Sequence, residues 1–180
     1  MAHNVMIPNA IAAMNIDAYN RSGVCASAVD NGNVVVLSAL STTAGEAEVW
    51  TALVPSTSNG LTGLWMVYEP EVVVTDSKYK GLDPDPRNFS VAATDVFSCF
   101  KPSLGDIITF TADGMSGAKG GSDTHVNATN STGGLVLVWG TSQTASVFSM
   151  KLISTTYISI ADGSIGTQRV TAYKFEVVGL

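Results

Sequence analysis

Apolar and polar positions along the chain repeat mostly with the two-residue period of a pleated strand, and turn residues separate the repeats. In residues 46–54, Ala47, Val49, Thr51 and Leu53 share one face while Glu46, Glu48, Trp50 and Ala52 share the other, which predicts a half-exposed strand stopped by Pro55. Asp30-Asn31-Gly32-Asn33 is a strong turn signal ahead of a short strand, Val34-Val35-Val36-Leu37. Leu64-Trp65-Met66-Val67-Tyr68 is apolar on both faces and ends before Pro70, with Val72-Val73-Val74 as a short continuation. Further strands are predicted over 95–100 and 107–111, the latter placing Ile108 and Phe110 on one face. Three more are predicted over 135–139, 146–153 and 169–178, with an extra one at 157–160 before the Asp162-Gly163 turn. In 146–153, Phe148, Met150 and Leu152 share a face.

Loops account for the rest. Residues 41–45 and 55–63 hold mostly Ser, Thr, Asn and Gly, and 102–106 form a turn. Residues 75–90 contain Asp83-Pro84-Asp85-Pro86, which resists helix and central strand alike, and predict an exposed loop pinned by Tyr79, Leu82 and Phe89. Residues 112–134 are the longest loop, rich in Gly, Ser, Thr and Asn. The expected architecture is all-β, a small barrel or sandwich of about 8–10 short strands.

The first 28 residues differ. Residues 6–16 are apolar without clean alternation, and Ile7, Ile11 and Met14 fall at i, i+4 and i+7, a spacing that allows a short helix with Pro8 in its first turn. Two readings stand: a terminal segment packed on its own core, or an arm that docks on a neighbour. The expected organisation is an N-terminal arm over 1–28 and a β-rich domain over 29–180. The first charged side chain is Asp17, so Val5, Met6, Ile7, Pro8, Ile11, Met14 and Ile16 form the candidate partner-binding surface.

Composition supports the strands. The 180 residues include 21 Val against 11 Leu, with 18 Thr and 19 Ser. Val and Thr are stiff at Cβ and suit a pleated surface. Charged residues are 13% of the chain, about half the usual share. A net charge of -6, with Arg21 the lone basic residue before Lys78, argues against a nucleic-acid backbone as partner. No run approaches the roughly eighteen apolar residues of a membrane-spanning helix. Met1-Ala2-His3-Asn4-Val5-Met6 does not read as a secretory leader, so synthesis in a cytosol is expected. Cys25 and Cys99 are then expected as buried thiols, with a disulfide between them, closing a long loop, as the alternative.

Sites of chemistry are hard to assemble. Only His3 and His125 could serve a Ser or Cys nucleophile, and Gly114-Met115-Ser116-Gly117 is one residue short of a nucleophile elbow. Asp123 and His125 lack a third metal ligand nearby, and Asp83-Pro84-Asp85 lacks the Gly and terminal Glu of a calcium loop. Lys119 is not followed by the Ser or Thr of a phosphate loop. Glu46 with Glu48, and Glu69 with Glu71, are candidate carboxylate pairs, each read first as a solvated strand face. The Asn-x-Ser/Thr sequences at Asn88, Asn127 and Asn130 matter only on a secretory route. A non-enzymatic protein without metal or cofactor is therefore expected.

The order of the motifs is informative where each alone is not. Asn31-Gly32 before Val34-Val35-Val36-Leu37, then Gly45-Glu46-Ala47-Glu48-Val49-Trp50, then residues 64–72, then Tyr79-Lys80-Gly81-Leu82-Asp83, then residues 104–110, resembles the small head-decoration proteins of tailed bacteriophages. The resemblance covers residues 5–115, and residues 116–180 depart from it. It implies a cement protein made in the host bacterial cytoplasm that binds the outer surface of an assembled capsid and reinforces it, with no catalysis. The implied partners are the major capsid protein and neighbouring copies of the chain, as a trimer on the three-fold and quasi-three-fold lattice sites. Two other classes share this composition: a phage tail or baseplate structural protein, and a carbohydrate-binding β module using exposed Trp and Tyr.

Overall fold

The computed structural model describes residues 3–42, 48–71, 73–76, 81–83, 85–129, 134–161 and 166–180, with the backbone alone for 73–76 and 81–83. The fold is all-β, and the helical residues are short 3-10 turns. In chain order the strands are β1 (Met6–Ala10), β2 (Asn20–Cys25), β3 (Val34–Leu40), β4 (Val49–Leu53), β5 (Trp65–Val67), β6 (Val73–Asp76) and β7 (Gly81–Asp83). They continue as β8 (Val96–Phe100), β9 (Ile107–Thr111), β10 (Met115–Ser116), β11 (His125–Asn127), β12 (Leu137–Gly140), β13 (Ser149–Ala161) and β14 (Thr167–Gly179).

Two bodies of sheet share the chain. Strands β2-β4-β3-β5-β8 close into a barrel, parallel only between β2 and β4. A seven-stranded sheet runs β1-β9-β14-β13-β11-β12-β10, and β6 pairs with β7 apart from both. The barrel interior is small, filled by Cys25, Val29, Val35, Ala52, Val67, Val91, Phe97 and Cys99. A Cβ on Gly23 would stand 3.0 Å from the Phe97 ring, so glycine makes room for the largest interior side chain. A second core joins the outside of the barrel to the sheet. Val34, Leu64, Met66 and Phe100 meet Met6, Ile108, Phe110, Phe148, Met150 and Phe175 there. Sequence neighbours thus divide between cores: Val34 and Val35, Met66 and Val67, Cys99 and Phe100. That is why 64–68 reads as apolar on both faces.

Several expectations change. Fourteen strands are present among the described residues, more than the 8–10 expected, because two loops and the N-terminal segment contain strands. The long loop at 112–134 holds β10 and β11, anchored by buried Met115 and Val126. The loop at 75–90 includes β7, paired antiparallel with β6. It then turns through Pro86–Asn88, where Asp85 caps the Arg87 backbone N–H at 2.9 Å. Strands expected at 146–153 and 157–160 are one strand, β13, whose register shifts between Leu152 and Ser154. That irregularity breaks the alternation seen in sequence. In β4 the deeply buried residue is Ala52, on the face opposite Val49 and Leu53, because the narrow barrel takes a small side chain there. Residues 43–47, 77–80 and 130, with their expected loop, Glu46, Tyr79 anchor and Asn130 sequence, lie outside the described residues, as do Val72, Pro84 and the Asp162-Gly163 turn.

The N-terminal 28 residues do not stand apart as an arm within their described part. Strand β1 is an edge of the seven-stranded sheet, pairing Met6 with Phe110 and Pro8 with Ile108, and β2 is a barrel strand. The spacing of Ile7, Ile11 and Met14 yields no α-helix over these positions. Residues 6–10 are extended, and a 3-10 turn spans Ala12–Asn15. Backbone pairing with β9 takes precedence over the weak helical period.

Candidate functional site

The candidate surface residues separate into two sets by depth. Val5, Met6 and Ile11 are buried and Pro8 is half-buried, whereas Ile7, Met14 and Ile16 are 37%, 60% and 40% exposed. The buried set anchors the segment and the exposed set faces solvent.

Polar groups fix that anchor. Asn4 is buried, accepts a hydrogen bond from Thr111 Oγ1 at 3.0 Å and donates to the Asn31 carbonyl. Val5 N donates to Thr111 Oγ1 at 3.0 Å, and Thr111 N returns a bond to the Val5 carbonyl at 3.0 Å. Asn31, also buried, donates to the Glu69 carbonyl at 3.0 Å and accepts from Glu69 N at 2.7 Å. His3 Nδ1 lies 2.8 Å from Asp30 Oδ1. Asparagine suits such a knot because one side chain both donates and accepts. The 30–33 turn, legible as a turn, is thus also the joint between barrel and sheet.

Downstream, Asp106 is buried and holds the 3-10 turn. Its Oδ1 accepts from Ala12 N at 3.0 Å and its Oδ2 from Ser103 N at 2.8 Å. Leu104, between Ser103 and Asp106 in sequence, is 64% exposed. The exposed Ile7, Met14, Ile16 and Leu104 are therefore held on structured backbone, with little ordering left to complete on binding.

The candidate carboxylates have structural partners. Glu69 Oε2 accepts from Ser98 N at 2.7 Å. Glu71 accepts from Asn31 Nδ2 at 3.2 Å and from the Met6 backbone, yet burial outweighs both and pushes its pKa up. These two residues lie outside the strands, in the joint, rather than on a solvated strand face. Glu48 is exposed. Asp85 is held below the ordinary carboxylate range by the Arg87 guanidinium, whose Nη2 lies 2.7 Å from Asp85 Oδ2. Asp123 accepts from Gly120 N at 2.6 Å, and His125 Nδ1 lies 2.9 Å from Thr124 Oγ1. Among the described residues, no three His, Cys, Asp or Glu side chains converge as metal ligands would.

A cleft that sequence reading does not point to opens on the barrel wall. It encloses about 840 Å³ and is lined by Arg21, Leu40, Glu48, Trp50, Tyr68 and Cys99, among others. The Arg21 guanidinium sits 5.7 Å from the Trp65 ring. The cleft is lined by three aromatic side chains, Trp50, Tyr68 and Phe100, with one cation and one carboxylate. The only signal in sequence is Trp50 on the polar face of the 46–54 alternation. Cys99 also lines it, and burial pushes its thiol up to about 12 despite the nearby Arg21, which disfavours the thiolate; Sγ donates to the Arg21 carbonyl at 3.4 Å. Cys25 and Cys99 are both buried, and no disulfide joins them.

Compared with protein-family models, curated proteins and solved structures, the chain matches none of them.

Proposed function

We propose that this chain is a non-enzymatic structural protein of a phage virion, a decoration or cement protein that binds the outside of the capsid. The observation that supports this most is the N-terminal surface: Ile7, Met14 and Ile16 exposed on a segment whose neighbours Val5, Met6 and Ile11 are locked in the core. Exposed apolar side chains on a hydrogen-bonded segment of a poorly charged chain suit a shallow contact repeated over a lattice, where many weak contacts act together. The major capsid protein is the partner in this reading, with neighbouring copies clustered around three-fold sites.

The test is co-sedimentation of purified protein with undecorated capsids. Ile7→Asp with Met14→Asp and Ile16→Asp should weaken binding at least tenfold while leaving the melting temperature within a few degrees, since none of the three is buried. Full binding by the triple variant would refute this surface. Deleting residues 2–16 is a poor test, because it also removes β1 and the Asn4 joint.

The cleft favours a second reading, a carbohydrate-binding module. Trp50 and Tyr68 would stack on sugar rings, and Arg21 and Glu48 would take hydroxyls. Glycan-array binding lost on Trp50→Ala, with capsid binding unaffected, would favour it over the first.

A further inference from the structure

The β13–β14 hairpin outruns the sheet it belongs to. β11 pairs only with Ser149, Met150 and Lys151 of β13, and Leu152 N still reaches the Thr124 carbonyl at 2.8 Å. Beyond that point no described strand borders β13. On its other side β13 pairs with β14 in unbroken register from Ser154↔Lys174 to Ala161↔Thr167. Eight residues, about 27 Å of strand, thus present a row of backbone groups to no described partner.

The other described edges of the seven-stranded sheet are blunted in ways that disfavour pairing. β1 carries Pro8 and a register shift between Pro8 and Ala10. β10 is two residues long. The free end of β14 carries Arg169, and Gln168 beside it is tied to Arg87 Nη1 at 2.7 Å. β13 has none of these devices over Ser154-Thr155-Thr156-Tyr157-Ile158-Ser159-Ile160-Ala161: no charge, proline or glycine. Ile153 and Tyr157 are 48% and 53% exposed beside the edge.

We propose that two copies of this chain join through the open edge of β13, antiparallel about a two-fold axis, to form one continuous sheet. The row of backbone donors and acceptors specifies a strand as the occupant. Charge specifies a like copy. The protein carries -6 overall, yet residues 149–179 hold three basic and two acidic side chains, so the seam joins copies where the net repulsion is least. Paired about Tyr157, the strands set Thr155 opposite the partner copy's Ser159 and bring no like charges together. Arg169, stacked 4.0 Å from Tyr157, lies on β14, one strand away from the seam. An eight-residue seam is small against the roughly 1,200–2,000 Å² of standard interfaces, so the dimer is weak and reversible. A two-fold seam cannot by itself build a trimer. On a lattice of three-fold clusters it would link one cluster to the next. The inference rests on the edge and not on the capsid reading, and purified protein tests it without capsids.

Sedimentation velocity of the full chain up to about 1 mM should show concentration-dependent dimers. Amides within 154–161 should gain hydrogen-exchange protection over the same range. The pair T155K/S159K should be monomeric with an unchanged melting temperature, since both positions are exposed. T155E/S159E should behave alike, and mixing the two variants should restore a heterodimer. A wild-type chain that stays monomeric at about 1 mM, or variants that dimerise as wild type does, would overturn the proposal. So would a mixture of folded variants that fails to pair.

Discussion

Gly32 offers the sharpest test of the joint between barrel and sheet. Its φ is +81°, in the left-handed region, and it sits where the Asn31 turn meets Phe110 and Asn4. A Cβ added there would stand 2.7 Å from Phe110 Cδ1 and also overlap the Asn4 amide. Gly32→Ala therefore incurs backbone strain of about 1–2 kcal/mol. Overpacking against Phe110 and Asn4 adds about 1–3 kcal/mol. The reduced freedom of the unfolded chain returns roughly 0.4–1 kcal/mol.

Gly63 is the control. Its φ is +62°, but a Cβ would meet nothing within 4 Å, so Gly63→Ala incurs the strain without the clash. Urea unfolding followed by Trp fluorescence should place Gly32→Ala about 2–4 kcal/mol below wild type and Gly63→Ala within about 1 kcal/mol. At roughly 2–4 °C per kcal/mol for a chain of this length, the melting temperatures should separate visibly. Equal losses for the two variants would refute the packing argument and leave backbone conformation as the sole cause.

The remaining predictions concern ionisable groups. Cys99 should resist thiol reagents in the folded protein at pH 8 and react on unfolding. Its raised pKa also means stability that is full below about pH 8.5, the unfolded thiol's range, and lost as pH rises toward about 12, a loss that Cys99→Ser should reduce in alkaline unfolding curves. Glu71 has the same sign: burial raises its pKa, so stability falls as pH rises through the folded value. Glu71→Gln should raise the urea midpoint at pH 8 relative to its effect at pH 4. Asp85 has the opposite sign, its lowered pKa giving stability that is present above the unfolded carboxylate range and lost as pH falls through the folded value. Asp85→Asn should flatten the acid limb of the stability profile, and an unchanged limb would show that the Arg87 contact contributes little.

Where alternation was regular the strands were legible. The strands expected at 95–100, 107–111 and 169–178 are β8, β9 and β14, with ends shifted by at most two residues. Legibility failed where tertiary contacts overrode the local pattern. Met115 and Val126 are single apolar residues in a Gly/Ser/Thr stretch, and each nucleates a strand of two or three residues only because a neighbouring sheet supplies the partner. The polar joint was invisible for a related reason. Asn4, Asn31 and Thr111 are residue types that mark turns and surfaces, and nothing local distinguishes a buried Asn whose partners are 27 and 107 residues away. The cleft likewise needs Arg21, Trp50 and Tyr68 from three separate parts of the chain.

The N-terminal segment shows why folding and surface recognition are hard to separate here. Ile7 stands beside Met6 on β1, so one residue of an adjacent pair faces solvent while the other fills the core. The strand alternation that seats Met6 therefore orients Ile7, and the Asp106 contacts that fix Ala12 also set the turn carrying Met14. A variant at Met6, Ile11 or Asp106 would disturb the exposed patch through the backbone even if the partner never touches it. Substitutions at Ile7, Met14 and Ile16 act on the patch alone. Comparing the two groups by capsid binding against melting temperature separates a true contact surface from a segment needed only for folding. A contact surface loses binding in both groups but stability only in the first.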